Sequence, residues 1–367
     1  MKETSQSNRI PSLDGIRGIA IIFVLFSHAI KSTKIFSNNP NLESIIISFG
    51  GYVGGLGVNI FLVISGYLIT YLLRKEIEKY GNIDFKKFYL RRSIRIFPSF
   101  YLYLGIIFLL SYFEVLKIPI INIASSGMFV WNYSFLWSDI SGQDLWFLGH
   151  TWSLSLEEQF YLFWPATLVF LGRKKSICLA MILILLSPVL RVISYLLFPN
   201  IRGYIGIMTH THIDVIMFGC VIALAEGLPK FEYLAKKLST QNTALLCSAF
   251  LLFVSPLFYI KFRGLYALPI GFTTESIAIT VVILWLIRNH NTTTGKFFNS
   301  KLIVHFGFLS YSLYLWQQLF LTELNTTWLG IFPANLIFCY ITAELSYRFI
   351  EQPFLKLRRF FKRSESV

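Results

Sequence analysis

The sequence predicts an all-α, polytopic integral membrane protein, with about ten transmembrane helices around a central pore or cleft. Apolar residues make up 55% of the chain and charged residues only 14%, and the mean hydropathy is +0.60. That balance excludes a soluble globule with a polar surface. A window of about 19 residues finds ten apolar runs, and the basic residues fall between them in every second loop. The net charge of +14 is therefore a topological signal rather than a nucleic-acid surface, and no nucleic-acid partner is expected.

Taken in order, the spans are expected near 12–31, 55–74, 96–113, 152–172, 177–198, 210–226, 242–260, 271–288, 302–322 and 328–350. With the N-terminus inside, the basic loops Arg74–Arg95, Arg173–Lys175, Lys230–Lys237 and Arg288–Lys301 and the tail Lys356–Arg363 all fall on the cytoplasmic side. Both termini are then cytoplasmic. The outer loops lie around 32–54, 114–151, 199–209, 261–270 and 323–327. One membrane domain, 12–355, is expected between an N-terminal tail, 1–11, and a basic tail, 356–367.

The first run, Leu13 to Lys31, carries an arginine near its start and a histidine near its end. The eleven steps from Arg17 to His28 return to nearly the same helix face, roughly 16 Å apart along the axis. Ionisable residues inside a span are expensive and read as functional, so both are expected to face one interior. The alternative is an Arg17 that snorkels to the headgroups and a His28 at the far interface. Ser27-His28-Ala29 loosely resembles a signal-peptide cleavage site, but Asp14 and Arg17 interrupt that pattern, and the segment is expected to be retained.

The stretch Gly50 to Tyr67 is glycine-rich where a loop meets a span, and close helix packing is the expected reason. Arg92 and Arg95, three residues apart before the third span, place two guanidinium groups on one helix face. That geometry suits bidentate capture of phosphate, and a topological anchor is the alternative. In the long outer loop, Ile118–Trp137 is apolar without reaching a full span, and a re-entrant or surface-lying segment is expected. Its Trp131 and Trp137, with Trp146, are expected as interfacial anchors, a sugar platform being the alternative.

The fourth span opens with His150 and continues Trp152-Ser153-Leu154-Ser155-Leu156-Glu157-Glu158-Gln159-Phe160-Tyr161. Ser153, Glu157 and Tyr161 share a face, and adjacent Glu157 and Glu158 cannot. Glutamates in the first turns also complement the helix dipole. The four cysteines, Cys178, Cys220, Cys247 and Cys339, show no metal-ligand spacing and are expected to pack. No metal site is expected.

Leu13-Asp14-Gly15-Ile16-Arg17-Gly18 with His28, the run Gly57 to Tyr67, the pair Arg92 and Arg95, and Trp152 to Tyr161 together resemble the acyltransferase-3 family of bacterial membrane acyltransferases. Leu309 to Trp316 and Ile350-Glu351-Gln352-Pro353-Phe354 look like the family's closing motifs. The resemblance covers nearly the whole chain, in order. It implies transfer of an acyl group, usually acetyl, from cytoplasmic acyl-CoA to a hydroxyl of an extracytoplasmic sugar or polysaccharide. Acyl-CoA is then a co-substrate, with no tightly bound cofactor, and the partners are the glycan acceptor and the bilayer. No oligomeric state follows.

The resemblance makes Arg17 and His28 the functional pair, gives Arg92 and Arg95 to the donor, and makes Glu157 the glutamate of the fourth-span motif, with Glu158 as the alternative. His28 is the expected base or acyl relay, and Glu157 would fix its tautomer if it reaches it. Many members carry histidine after Tyr-Leu-Trp near the C-terminus, where this chain has Gln317. Some also carry a soluble hydrolase-like domain after the membrane part; with the sequence ending at Val367, partner chemistry is expected to come from another protein. A transporter or flippase of a lipid-linked glycan is the alternative function, although paired repeats are not visible.

Overall fold

Long apolar runs bounded by charge satisfy their backbone polar groups internally, and here they do so as helices. The structure is a computed structural model describing residues 10, 12–33, 40–322, 324 and 328–361, and among these residues no strand occurs. The helices are α1 (Leu13–Thr33), α2 (Pro40–Tyr80), α3 (Phe85–Tyr112), α4 (Ile120–Gly127), α5 (Gly142–Phe147), α6 (Thr151–Leu197), α7 (Thr209–Ala225) and α8 (Pro229–Leu238). There follow α9 (Gln241–Ala249), α10 (Ser255–Phe262), α11 (Gly264–Tyr266), α12 (Phe272–Arg288), α13 (Thr293–Phe298), α14 (Lys301–Phe320), α15 (Ala334–Ser346) and α16 (Gln352–Leu357). Short π-helical turns join α9 to α10, α11 to α12 and α15 to α16.

Seven helical stretches among the described residues are long and apolar enough to cross a membrane. One of them, α6, has 47 residues and would run about 70 Å if straight, more than twice the hydrocarbon core. It is divided at Gly172, whose φ of 67° and ψ of 174° are not helical. The runs expected at 152–172 and 177–198 lie on either side of that kink.

Two expected boundaries are corrected. Residues 40–54, expected in an outer loop, are helical, because α2 runs 41 residues without a break. Its outer part packs on α1, and a Cβ at Gly54 would stand 2.6 Å from Ser27 Oγ. The third helix begins at Phe85 rather than near 96, capped by Asp84, whose side chain accepts from the Lys87 N–H at 3.0 Å. Arg92 and Arg95 therefore sit well inside α3.

At the centre, α1 packs between α2 and α14, α2 packs against α7, and α7 against α6. Glycine sets the closest of these approaches: a Cβ on Gly219 would lie 2.0 Å from Val63 O, and one on Gly66 2.1 Å from Ile216 O. That is the small-residue packing membrane helices use where no hydrophobic driving force is available. Gly51 and Gly55 have no such neighbour, so packing explains only part of the glycine run.

A buried ion pair ties α6, α7 and α12. Arg191 Nη1 and Nη2 donate to Asp214 at 3.0 Å, with both side chains fully buried. Arg191 Nε and Nη1 also donate to Leu268 O and Thr211 O, each at 2.7 Å, and Nη2 donates to Thr273 Oγ1 at 3.0 Å.

The basic segments gather at one face. Arg74 donates to Glu226 Oε2 at 2.6 Å, Arg173 donates to Glu226 O and Leu224 O, and Arg288 pairs with Glu232. Arg91 joins Glu76 and Phe361 O at the same face. At the opposite face, residues 114–150 fold inward. Gln159 Nε2, more than two turns down α6, donates to Phe129 O at 2.8 Å, and the Phe129 ring stacks on Phe100 at 4.8 Å. With eight residues, α4 rises only about 12 Å, too short to cross a hydrocarbon core as a helix.

Candidate active site

Arg17 and His28 mark the two levels of the interior. Asn299 Oδ1 accepts from the Ser12 N–H at 2.9 Å and its amide donates to Ser12 Oγ, pinning the start of α1 beside α14. Arg17 follows on the second turn, half-buried, near enough to Arg95, Asp14 and Glu157 to feel their charges. Arg92 lies over the Tyr161 ring, 5.0 Å from its centroid, and lines a cleft between α2 and α3 with Glu76 and Arg91. Arg17, Arg92 and Arg95 make no hydrogen bond or ion pair among the described residues. Three half-buried guanidinium groups so close together, Arg95 repelling the other two, concentrate positive charge at this level of the interior.

The glutamates at this level are occupied by hydroxyls. Glu157 Oε1 accepts from Ser65 Oγ at 3.0 Å and Oε2 from Tyr161 OH at 2.8 Å. Its carboxylate thus stands with Arg17 and Arg92, and it forms no bond to His28. Glu351, from the closing motif, is buried and accepts from Ser312 and, at 3.4 Å, from Ser99, with Arg95 and Arg17 in electrostatic range. Sequence reasoning gave Ser65 and Glu351 no role. They belong to different helices, and no spacing along one helix brings them together.

Around His28, at the other level, the groups are aromatic and amide. Its ring meets Trp146 edge-on, with centroids 5.3 Å apart. Trp146 is held there by its Nε1–H, which donates to Gln318 O at 2.9 Å. Trp146 is thus part of the interior rather than an interfacial anchor, and Trp131, 1% exposed, is likewise interior. Trp137 is exposed on its apolar body and donates from Nε1 to Ser125 Oγ.

His150 joins this group. It is buried, close enough to His28 to feel its charge, and edge-on to Tyr103 at 5.3 Å and Tyr314 at 5.6 Å. Neither ring nitrogen has a hydrogen-bond partner among the described residues. In its neutral form the ring carries one N–H donor and one acceptor nitrogen. An unpaired buried polar group costs about 1–3 kcal/mol. The signal was present in the sequence: His150 lies seven residues before Glu157, on nearly the same face of its helix.

The two stripes run antiparallel. Along α1 the order is Arg17 then His28, and along the start of α6 it is His150, Ser153, Glu157, Tyr161, so arginine meets glutamate at one level and histidine meets histidine at the other. Of the predicted site residues, Arg17, Arg92, Arg95 and Glu157 come together; His28 stands apart from them, roughly 16 Å along the helix from Arg17. Among the described residues, no group of histidine, cysteine, aspartate or glutamate is arranged to hold a metal ion. Cys220 and Cys339 are buried, Cys247 is half-buried, Cys178 is exposed, and all four are free.

Comparison with known proteins places the chain in a family. Residues 10–344 match the family model described as an acyltransferase domain. The chain is 31% identical over 390 residues to the peptidoglycan O-acetyltransferase OatA of Listeria monocytogenes, covering 97% of this chain and 58% of that protein. It is 29% identical over 370 residues to the O-acetyltransferase OatA of Staphylococcus aureus strain NCTC 8325, covering 95% and 57%. It thus spans little more than half the length of these curated relatives. No solved structure matches. With the family's model covering nearly all of it and its motifs gathered at two levels of one interior, the chain belongs to the acyltransferase-3 family of membrane acyltransferases.

Proposed function

We propose that this protein is a membrane O-acetyltransferase, moving an acetyl group from acyl-CoA on the cytoplasmic side to a hydroxyl of an extracytoplasmic glycan. The observation that carries this reading is the cluster of Arg17, Arg92 and Arg95, which make no hydrogen bond or ion pair among the described residues, level with the face where the basic loops gather. Guanidinium groups so placed suit the phosphates of the donor. The positive-inside rule makes that face cytoplasmic, and with the kinked α6 counted twice and α14 and α15–α16 added, ten spans put both termini inside, in the cytoplasmic membrane of a bacterium. The OatA relative named for peptidoglycan makes a cell-wall polysaccharide the favoured class of acceptor.

The chemistry needs a base at the acceptor hydroxyl and donors for the oxyanion. His28 takes the hydroxyl proton as the oxygen attacks the thioester carbon. The carbon–sulfur bond then breaks, and the imidazolium returns the proton to the departing thiolate. An acyl-histidine relay would use the same nitrogen as nucleophile. Glu157 acts at the arginine level, where it holds Tyr161 and balances charge around Arg17 and Arg92.

Incubating the purified protein with radiolabelled acetyl-CoA and peptidoglycan fragments tests this reading. Label should pass to the glycan as an ester. Arg17→Ala should weaken donor binding, and His28→Ala should lower turnover by about 10²–10⁴ with donor binding retained. Glycan movement without a donor, and no label transfer, would support a transporter instead.

A further inference from the structure

We infer that His150 is the second chemical group of the acceptor-level site: its ring donates an N–H to the oxyanion formed when His28 activates the acceptor hydroxyl. The inference rests on the reading of His28 as base and extends it to a residue with no role so far. Four elements build the place where His150 sits. Trp146, four residues before it, covers the His28 ring and is fixed to Gln318 O of α14. Tyr314, one turn earlier on α14, donates to His150 O at 2.8 Å, and the Tyr314 and Ser153 hydroxyls are bonded to each other at 2.7 Å. Tyr103 of α3, held by its own bond to Phe147 O at 2.6 Å, packs its ring edge-on against His150 and against Trp316 of α14.

These contacts fix the backbone and the ring plane of His150 and use neither ring nitrogen. A histidine kept only for packing would be replaced without loss by a ring of the same shape. One that is 6% exposed, oriented on three sides and unpaired at both nitrogens is organised for a group that arrives with the substrate. In direct transfer that group is the carbonyl oxygen of the thioester, which gains negative charge as the hydroxyl oxygen adds and loses it when the carbon–sulfur bond breaks. His150 stays neutral throughout, donating one hydrogen bond that strengthens in the transition state; the proton itself travels through His28. Gln318 Oε1, also buried and without a hydrogen-bond partner among the described residues, lies at the same junction to accept from the acceptor sugar.

Three full-chain variants in nanodiscs test this: His150→Phe, which keeps the ring shape, His150→Gln, which keeps an N–H donor, and His28→Ala. Each is measured for acetyl transfer to peptidoglycan fragments, acetyl-CoA affinity and thermal unfolding. The expected result for His150→Phe is a loss of about 10²–10³ in kcat, with donor affinity and unfolding temperature no lower than wild type. His150→Gln should recover at least tenfold of that loss. Transfer by His150→Phe within threefold of wild type would overturn the inference, as would a loss that follows a fall in donor affinity or unfolding temperature. If only His150→Phe is active, the base assignment to His28 stands and this inference alone fails. If His28→Ala transfers normally as well, the reading beneath it fails too.

Discussion

The buried Arg191–Asp214 pair gives a prediction that separates scaffold from chemistry. Asp214→Ala leaves a fully buried guanidinium held only by Leu268 O, Thr211 O and Thr273. Breaking one side of a buried pair costs about 3–5 kcal/mol. In the double variant Arg191→Met, Asp214→Leu no charge remains. The losses are then the bonds to Leu268 O, Thr211 O and Thr273 Oγ1, about 1 kcal/mol each, offset by the desolvation no longer imposed on two ions. The double variant should therefore fall within about 2 kcal/mol of wild type, a coupling that a double-mutant cycle reads directly. Denaturation midpoints in nanodiscs give the stabilities, and label transfer from acetyl-CoA gives the activity. A translocation path built on intramembrane charge would need this pair; an acyltransferase with its chemistry at His28 would not. The account is refuted if Asp214→Ala is as stable as wild type, or if a stable double variant binds acetyl-CoA and transfers nothing.

Further outcomes follow from the same geometry. Arg92→Lys and Arg95→Lys keep the charge but lose the planar fork, so each should weaken acetyl-CoA binding with expression and orientation unchanged; unchanged affinity in both would return these residues to an anchoring role. Single cysteines placed near Gly81 and near Gly295, in a cysteine-free background, should both be shielded from an impermeant thiol reagent in intact cells, and labelling of either would overturn the ten-span topology. A Cβ at Gly307 would stand 1.9 Å from Asp14 O, so Gly307→Ala should destabilise by about 1–3 kcal/mol as α14 is pushed from α1, seen as an earlier midpoint in the same denaturation assay.

The sequence makes the α1 stripe legible because Arg17 and His28 lie on one regular helix, where spacing alone sets the face. Ser153, Glu157 and Tyr161 are legible for the same reason. What Glu157 touches is not: Ser65 lies on α2 and Arg92 on α3, and only tertiary packing decides that the carboxylate stands at the arginine level. The length of α2 also escapes a hydropathy window. Its outer part lies close against α1 at Gly54, a contact that no local pattern shows. At Gly172 the adjacent Arg173–Lys175 cluster marks a boundary correctly, while the chain there bends without an intervening loop. His150 was readable by period from Glu157, but its burial and unpaired nitrogens depend on Tyr103, Tyr314 and the returning outer segment, which no local pattern predicts.

The central claim is that donor and acceptor meet from opposite sides of the membrane through one interior. It is tested most directly in proteoliposomes with glycan acceptor sealed inside and radiolabelled acetyl-CoA added only outside. The account predicts labelled glycan in the lumen, formed by wild type and by the subset of molecules whose basic face points outward, and absent with His28→Ala. Label found only on acceptor supplied on the donor's own side, with the enclosed glycan unmodified, would contradict it.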